Sequence, residues 1–150
     1  MSNPNLSTLV YHSQAVEPFS EVELLYLLAA ARSRNRSEGL TGLLVYDEGQ
    51  FFQWIEGPPL SLQRVWHSIQ KDPRHQGLRV ITDAEIPIRL FSQWHMQFAH
   101  RGGAAALHID GLVEASPDVL EALHQNPDRA PEILAEFSSL GAGPFARSAV

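Results

Sequence analysis

An α+β fold, ordered β-α-β-β-α-β with one further strand, is what the sequence predicts, and three observations carry it. Short alternating or apolar runs recur at Leu6–Ser13, Leu40–Tyr46, Gln50–Gly57, Leu78–Glu85 and Trp94–Ala99, the period-2 signature of strands. Two stretches between them, from about Glu21 to Arg34 and from about Leu60 to Lys71, repeat apolar residues at helical spacing. Asp47-Glu48-Gly49 joins the second and third runs as a hairpin turn would.

In the first strand Leu9, Tyr11 and Ser13 share one face and Val10 and His12 the other. A loop with Glu17-Pro18 follows. Ser20, with Glu23 three residues later, then forms a capping-box signature directly before an apolar run. The stripe of this first helix is Leu24, Leu28, Ala31 and Asn35, flanked by Leu25 and Arg32. It is apolar for three turns and then polar, which fits a slot in the core and equally a helix end fraying into solvent. Gly39 punctuates the chain before the second strand.

The third strand, QFFQWIEG, places Phe51, Gln53 and Ile55 on one face and Phe52, Trp54 and Glu56 on the other. Both faces are rich in aromatic and β-branched residues, as in a strand buried on both sides. Gln53 therefore carries an amide into an apolar layer, and each of its groups left unpaired would cost about 1–3 kcal/mol. Something polar must meet it: a neighbouring backbone or side chain, or a planar heteroaromatic ligand.

Gly57-Pro58-Pro59 breaks the chain ahead of the second helix, where proline is tolerated. Leu62, Val65, Trp66 and Ile69 form its buried stripe, and Asp72-Pro73-Arg74-His75 ends it. Pro87-Ile88-Arg89 leads from the fourth strand to the fifth, whose Trp94, Met96 and Phe98 share a face against His95 and Gln97. The order is the ferredoxin-like βαββαβ arrangement with an additional fifth strand on a mixed sheet, two helices covering one face. Arg101-Gly102-Gly103 reads as a hinge; beyond it Ser116 starts a short helix to about His124, and a second runs from Asp128 to Leu140. A helical pair packed on the open face of the sheet is the economical solution. The expected division is 1–100 as the binding domain, 101–141 as a helical extension and 142–150 as a flexible tail.

Composition narrows the function. At 150 residues, 44% of them hydrophobic, the chain can bury a core of its own. A net charge of −6 argues against nucleic acid or an anionic membrane as partner. The absence of cysteine excludes disulfides, thiolate catalysis, iron–sulfur clusters and a cysteinyl-linked cofactor. No apolar run approaches the ~20 residues of a membrane span, and MSNPNLSTLV lacks a secretion signal. A soluble cytoplasmic protein is expected. The seven histidines show no metal-ligand spacing, so no metal site is expected. There is no phosphate-binding loop or dinucleotide fingerprint, and nothing places Ser13, His12 and Asp47 as a catalytic triad. Arg32, Arg34 and Arg36 fit a solvated helix end, or a site for phosphates and hydroxyls of a ligand.

LVYHS at Leu9–Ser13, SRNRSEGLTGLLVYDEGQFFQWIEG at Ser33–Gly57, KDPRH at Lys71–His75 and IRLFSQWHMQF at Ile88–Phe98 stand in unbroken order. Together they resemble a BLUF domain, the blue-light sensor that uses flavin adenine dinucleotide, over roughly residues 7 to 100. The resemblance implies non-covalent FAD, with FMN or riboflavin as substitutes in recombinant material. It implies that Tyr11 gives an electron and a proton to the excited flavin, that Gln53 stands between that tyrosine and the flavin N5/O4 edge, and that Asn35 binds the polar edge of the ring. Trp94 and Met96 match the residues that alternate in contact with the glutamine. Arg32, Asp72, Arg74 and His75 fall in segments that line the cofactor. Two positions depart from the family pattern: Ala31 stands where a serine is usual, and Arg34 where asparagine is frequent. The implied function is a photoreceptor without enzymatic turnover. It would signal through an unidentified downstream protein or a change in a homo-oligomer, dimer or larger. A light-insensitive ferredoxin-like ligand-binding or protein-interaction module is the competing reading.

Overall fold

The computed structural model describes residues 5–101 and 110–140. In chain order these form β1 (Leu6–Ala15), α1 (Glu21–Glu38), β2 (Thr41–Asp47), β3 (Gln50–Gly57), α2 (Pro59–Lys71), β4 (His75–Ile86), β5 (Gln97–Arg101), β6 (Leu112–Ala115), α3 (Pro117–Gln125), a 3-10 turn (Pro127–Arg129) and α4 (Ala130–Leu140). The sheet order is β4-β1-β3-β2-β5-β6. Its first four strands pair antiparallel, and β5 joins β2 and β6 in parallel. The predicted α+β architecture on a mixed sheet is therefore present.

Local signals explain the element ends. The Ser20 hydroxyl accepts from the Glu23 N–H while the Glu23 carboxylate accepts from the Ser20 N–H, the reciprocal cap expected from the sequence. α1 runs four residues beyond the expected Arg34 and stops at Gly39, whose φ of 70° a glycine adopts without strain. Two expectations need correction. The fifth strand begins at Gln97, not Trp94: the Trp94 N–H bonds to the Phe91 carbonyl at 3.1 Å, so Trp94 belongs to a turn. A sixth strand, unforeseen, pairs Phe98 with Leu112 and Arg101 with Ala115; at four residues it is too short to carry a periodic signal. The expected hinge at Gly102-Gly103 and the expected tail at 142–150 lie outside the described residues.

The sheet is covered on both faces. On one, Val10, Phe52 and Trp54 pack with Leu120 and Leu123 of α3 and Ile133, Leu134 and Phe137 of α4. On the other, α2 brings Leu62, Val65 and Ile69 against Leu9, Tyr11 and Ile55. Beside it α1 brings Leu28 and Ala31 against Leu44, Phe51, Met96 and Phe98.

Two ionic groups fix the margins. The Glu56 carboxylate is fully buried and accepts from Thr41 Oγ1 (2.8 Å), Trp54 Nε1 (3.0 Å), and the N–H groups of Leu90 (2.8 Å) and Phe91 (2.7 Å). It so ties the segment leading into β5 to the sheet. Asp47, at the end of β2, accepts from Arg101 Nη2 at 2.8 Å and His124 Nε2 at 2.7 Å, joining β5 and α3. Burial alone would raise its pKa, but these two hydrogen bonds hold the carboxyl below its ordinary range.

Candidate functional site

Cross-strand register builds the centre of the site. Tyr11 of β1 and Leu44 of β2 both stand opposite Gln53 of β3, and directly opposed side chains on one face lie within contact distance. The Tyr11 hydroxyl donates to Gln53 Oε1, and Gln53 Nε2 reaches Met96 Sδ at 3.5 Å. All three side chains are buried. Burial pushes the Tyr11 phenol pKa up, with Arg34 opposing, so the hydroxyl keeps its proton and acts as donor. The polar partner that Gln53 requires is thus a tyrosine on one side and a methionine on the other.

Next to this chain, between α1 and α2, lies a cavity of about 350 Å³, within the range of small-ligand sites. Its apolar walls include Phe19, Leu27, Leu44, Phe51 and Ile69; its polar ones are Tyr11, Gln53, Arg34, Ser68, Asp72, Arg74 and His75. Ala30 and Ala31 supply only methyl groups on the α1 side. Asp72 takes a two-pronged ion pair from Arg74, with Nη2–Oδ2 at 2.6 Å and Nε–Oδ1 at 2.9 Å. The hydrogen bond from Arg74 lowers its pKa against burial. Arg74 also lies over the Phe19 ring at 5.7 Å. His75 Nε2 donates to the Ile69 carbonyl at 2.8 Å, and Nδ1 lies 2.8 Å from Ser13 Oγ, so both ring nitrogens are engaged and the imidazole is held in place at the cavity edge.

Of the residues expected at a cofactor site, Tyr11, Gln53, Asp72, Arg74 and His75 line the cavity. Asn35 does not: it is buried, its Nδ2 donates to the His95 carbonyl at 2.7 Å, and its Oδ1 accepts from Arg34 at 3.2 Å. It reaches the cavity only through Arg34. Arg32 does not line it either, because its guanidinium is engaged by the carbonyls of Met96 and Asp110. Trp94 stands apart from Met96 and Phe98, against Gly111, with its Nε1 buried and without a hydrogen-bond partner among the described residues. Met96, not Trp94, is in contact with the glutamine here. Sequence reasoning raised Arg34 only within the basic cluster of Arg32, Arg34 and Arg36, and did not single out Ser68; both are wall residues. A signal existed: Leu27, Ala30, Ala31 and Arg34 form a second stripe at helical spacing.

The cavity fits a flavin by its chemistry. It offers aromatic and aliphatic walls for a flat ring. Among the described residues Gln53 Nε2 donates to Met96 Sδ alone, which leaves its second amide hydrogen as a donor at the wall. Arg34 and Arg74 supply cationic groups near the opening. Tyr11, Gln53 and Phe51 would hold the ring, and Arg34, Asp72, Arg74 and His75 its polar substituents.

The fold and the cavity together define a ligand-binding α+β domain of the split βαβ class. The family model described as "BLUF: Sensors of blue-light using FAD" matches residues 6–97, and the chain belongs to that family. It is 34% identical over 95 residues to the photoactivated adenylate cyclase subunit beta of Euglena gracilis, a match covering 63% of this chain and 11% of that protein. It is 31% identical over 94 residues to the blue light- and temperature-regulated antirepressor BluF of Escherichia coli K12, covering 61% of this chain and 23% of the relative. The dark-state structure of the BLUF protein BlrB superposes with a TM-score of 0.74 at 27% identity, covering 91% of this chain and 97% of that one. Klebsiella pneumoniae BlrP1 with FMN and cyclic diGMP gives a TM-score of 0.58 at 34% identity, covering 62% of this chain and 25% of the other. Family membership makes this a flavin-based blue-light sensor domain. Among the described residues, no helix is long and apolar enough to cross a membrane.

Proposed function

We propose that the chain is a blue-light photoreceptor that binds FAD without a covalent bond in the cavity between α1 and α2. In this reading it signals through its own hydrogen bonds rather than by turnover. What supports it is one observation: the hydrogen-bonded pair Tyr11–Gln53 forms part of the wall of that cavity, and Gln53 reaches on from it to Met96 behind the wall.

The flavin, when bound, supplies blue-light absorption and, once excited, an acceptor for an electron. With the flavin bound, Tyr11 would be the residue that lends the ring an electron and its phenolic proton and takes both back. During that exchange the hydroxyl no longer donates to Gln53, and the amide rotates or changes tautomer. Reversal would turn Nε2 toward the tyrosine oxygen, which can accept, and Oε1 toward Met96 Sδ, which has no proton to give. The Met96 contact is therefore lost, and the segment entering β5 relaxes. Residues 1–100 are the sensor in this scheme and 101–141 the element that carries the change outward. The receiver is a partner protein or a second copy of the chain. The population shift needed is of the order of 1–3 kcal/mol.

The purified protein should be yellow, release its flavin on denaturation and show a small reversible red shift under blue light. Tyr11→Phe and Gln53→Leu should bind flavin and lose the shift. A protein that cannot be loaded with any flavin refutes the cavity assignment; a retained shift in either variant removes that residue from the mechanism.

A further inference from the structure

Arg32 meets the chain at two distant places. Its Nε donates to the Met96 carbonyl at 2.7 Å, and its Nη2 donates to the Asp110 carbonyl. The guanidinium carbon lies 5.9 Å from the centroid of the Trp94 ring. Gly111, with φ 79°, sits against the same pair: a Cβ there would stand 2.9 Å from two atoms of the Trp94 ring and 3.1 Å from Arg32 Nη2. The Gly111 carbonyl in turn accepts from the Phe98 N–H at 3.2 Å. One planar group thus spans the residue whose sulfur contacts Gln53 and the turn from which β6 begins.

We infer that Arg32 is a positioning residue that couples Met96 to the C-terminal elements, with Gly111 as the seat that the Arg32–Trp94 pair requires. The inference rests on the flavin reading above. A guanidinium holds its N–H groups in a fixed fork, so one carbonyl cannot move more than about 0.5 Å relative to the other without losing a bond. When Met96 leaves Gln53, its carbonyl carries Arg32 with it, and the Asp110 carbonyl follows or is released. The turn leads through β6 to Ala115 and Leu120, both buried in the core beneath α3 and α4. A change on the cavity face so reaches the opposite face of the sheet. Arg32 touches neither the cavity nor Tyr11–Gln53, so the coupling is separable from the photochemistry.

The test is hydrogen exchange of the FAD-loaded full chain, dark and under blue light, with absorption spectra of the same samples. Arg32→Ala should keep the red shift while the light-minus-dark difference over Leu112–Leu123 falls at least about fivefold. Arg32→Lys, which keeps the charge but not the fork, should be intermediate. Gly111→Ala, which displaces the pair without altering Arg32, should match Arg32→Ala and carries the test if that variant fails to fold. In dark apo-protein, Arg32→Ala should speed exchange at Gly111–Ala115 and leave Leu9–Val10 unaltered. An undiminished light-minus-dark difference, or acceleration of equal size in both states, overturns the coupling role. Absence of any red shift in the unaltered protein overturns the flavin reading instead.

Discussion

The two faces of the sheet are built from the same strands and packed in opposite ways. Beneath α3 and α4 the core is one continuous cluster, from Val10 through Phe52 to Phe137. Beneath α1 and α2 it is two clusters, one per helix, with the cavity between them. β3 alone shows the contrast: Phe52, Trp54 and Glu56 go to the closed face, Phe51, Gln53 and Ile55 to the divided one. Close-packed interiors resist displacement, whereas a wall beside open space can rearrange. The closed face is the platform, and the divided face is the one with room to rearrange.

Truncation should break the symmetry between the faces most strongly. Phe137→Ala, in the continuous cluster, should cost about 3–5 kcal/mol in urea denaturation of the apo-protein. Leu27→Ala, at the cavity wall, should cost only about 1 kcal/mol, because it enlarges space already present. Equal losses would mean that the divided face is as tightly packed as the other.

Filling the cavity sharpens the contrast from the other side. Ala31→Leu should leave apo stability nearly unchanged yet abolish stabilisation by FAD. In the unaltered protein that stabilisation should amount to about 2.7 kcal/mol at a hundredfold excess over Kd. Thermal melts with and without FAD measure both quantities.

Glu56→Gln replaces one carboxylate oxygen by an NH₂ facing donors that were satisfied. The expected loss is about 1–3 kcal/mol, with faster amide exchange at Leu90 and Phe91. An unchanged exchange rate there would show that the carboxylate does not anchor this segment.

The smallest effect is in pH dependence. His12 stacks on Phe52 on the closed face and bonds to Gln50 Oε1 at 2.7 Å. Burial holds its pKa below the ordinary 6.5, the Gln50 bond opposes this, and Arg79 and His124 add to it. A depressed histidine favours the folded state fully above 6.5, and this contribution fades as pH falls through the folded pKa. His12→Gln should flatten the stability curve in that window. Asp47, also depressed, loses its contribution only as pH falls below about 3.8, so the two are separable.

Much of the site was legible because it is written in local periodicity. Gln53 announced itself as a polar residue at an apolar strand position, and register alone brings it to Tyr11. Ser20 marked the start of α1 by cap chemistry, whereas its end was expected at Arg34, four residues short of Glu38, the last before Gly39. The contact made by Arg32 was not legible: its partner Asp110 is 78 residues away, just before a strand too short to leave a pattern. Asn35 is buried, and its partners are the His95 carbonyl and Arg34; whether a helix residue faces a cavity or a backbone carbonyl depends on where the next segment runs. The departure at position 34 proved informative, since Arg34 both lines the cavity and holds Asn35. Trp94 shows the limit of alternation: it shares parity with Met96 and Phe98, but it precedes β5, with its N–H bonded to the Phe91 carbonyl, and is not part of the core cluster that holds those two.

β5 is flanked by parallel neighbours on both sides, β2 and β6. A parallel ladder repeats only every two residues, about 6.6 Å, and a one-residue slip would turn every side chain to the wrong face. Smaller axial creep would break both ladders together. The strand therefore behaves like a detent rather than a spring: it stays in its notch, and whatever it conveys passes through the two ends, Met96 just before it and Arg101 as its last residue.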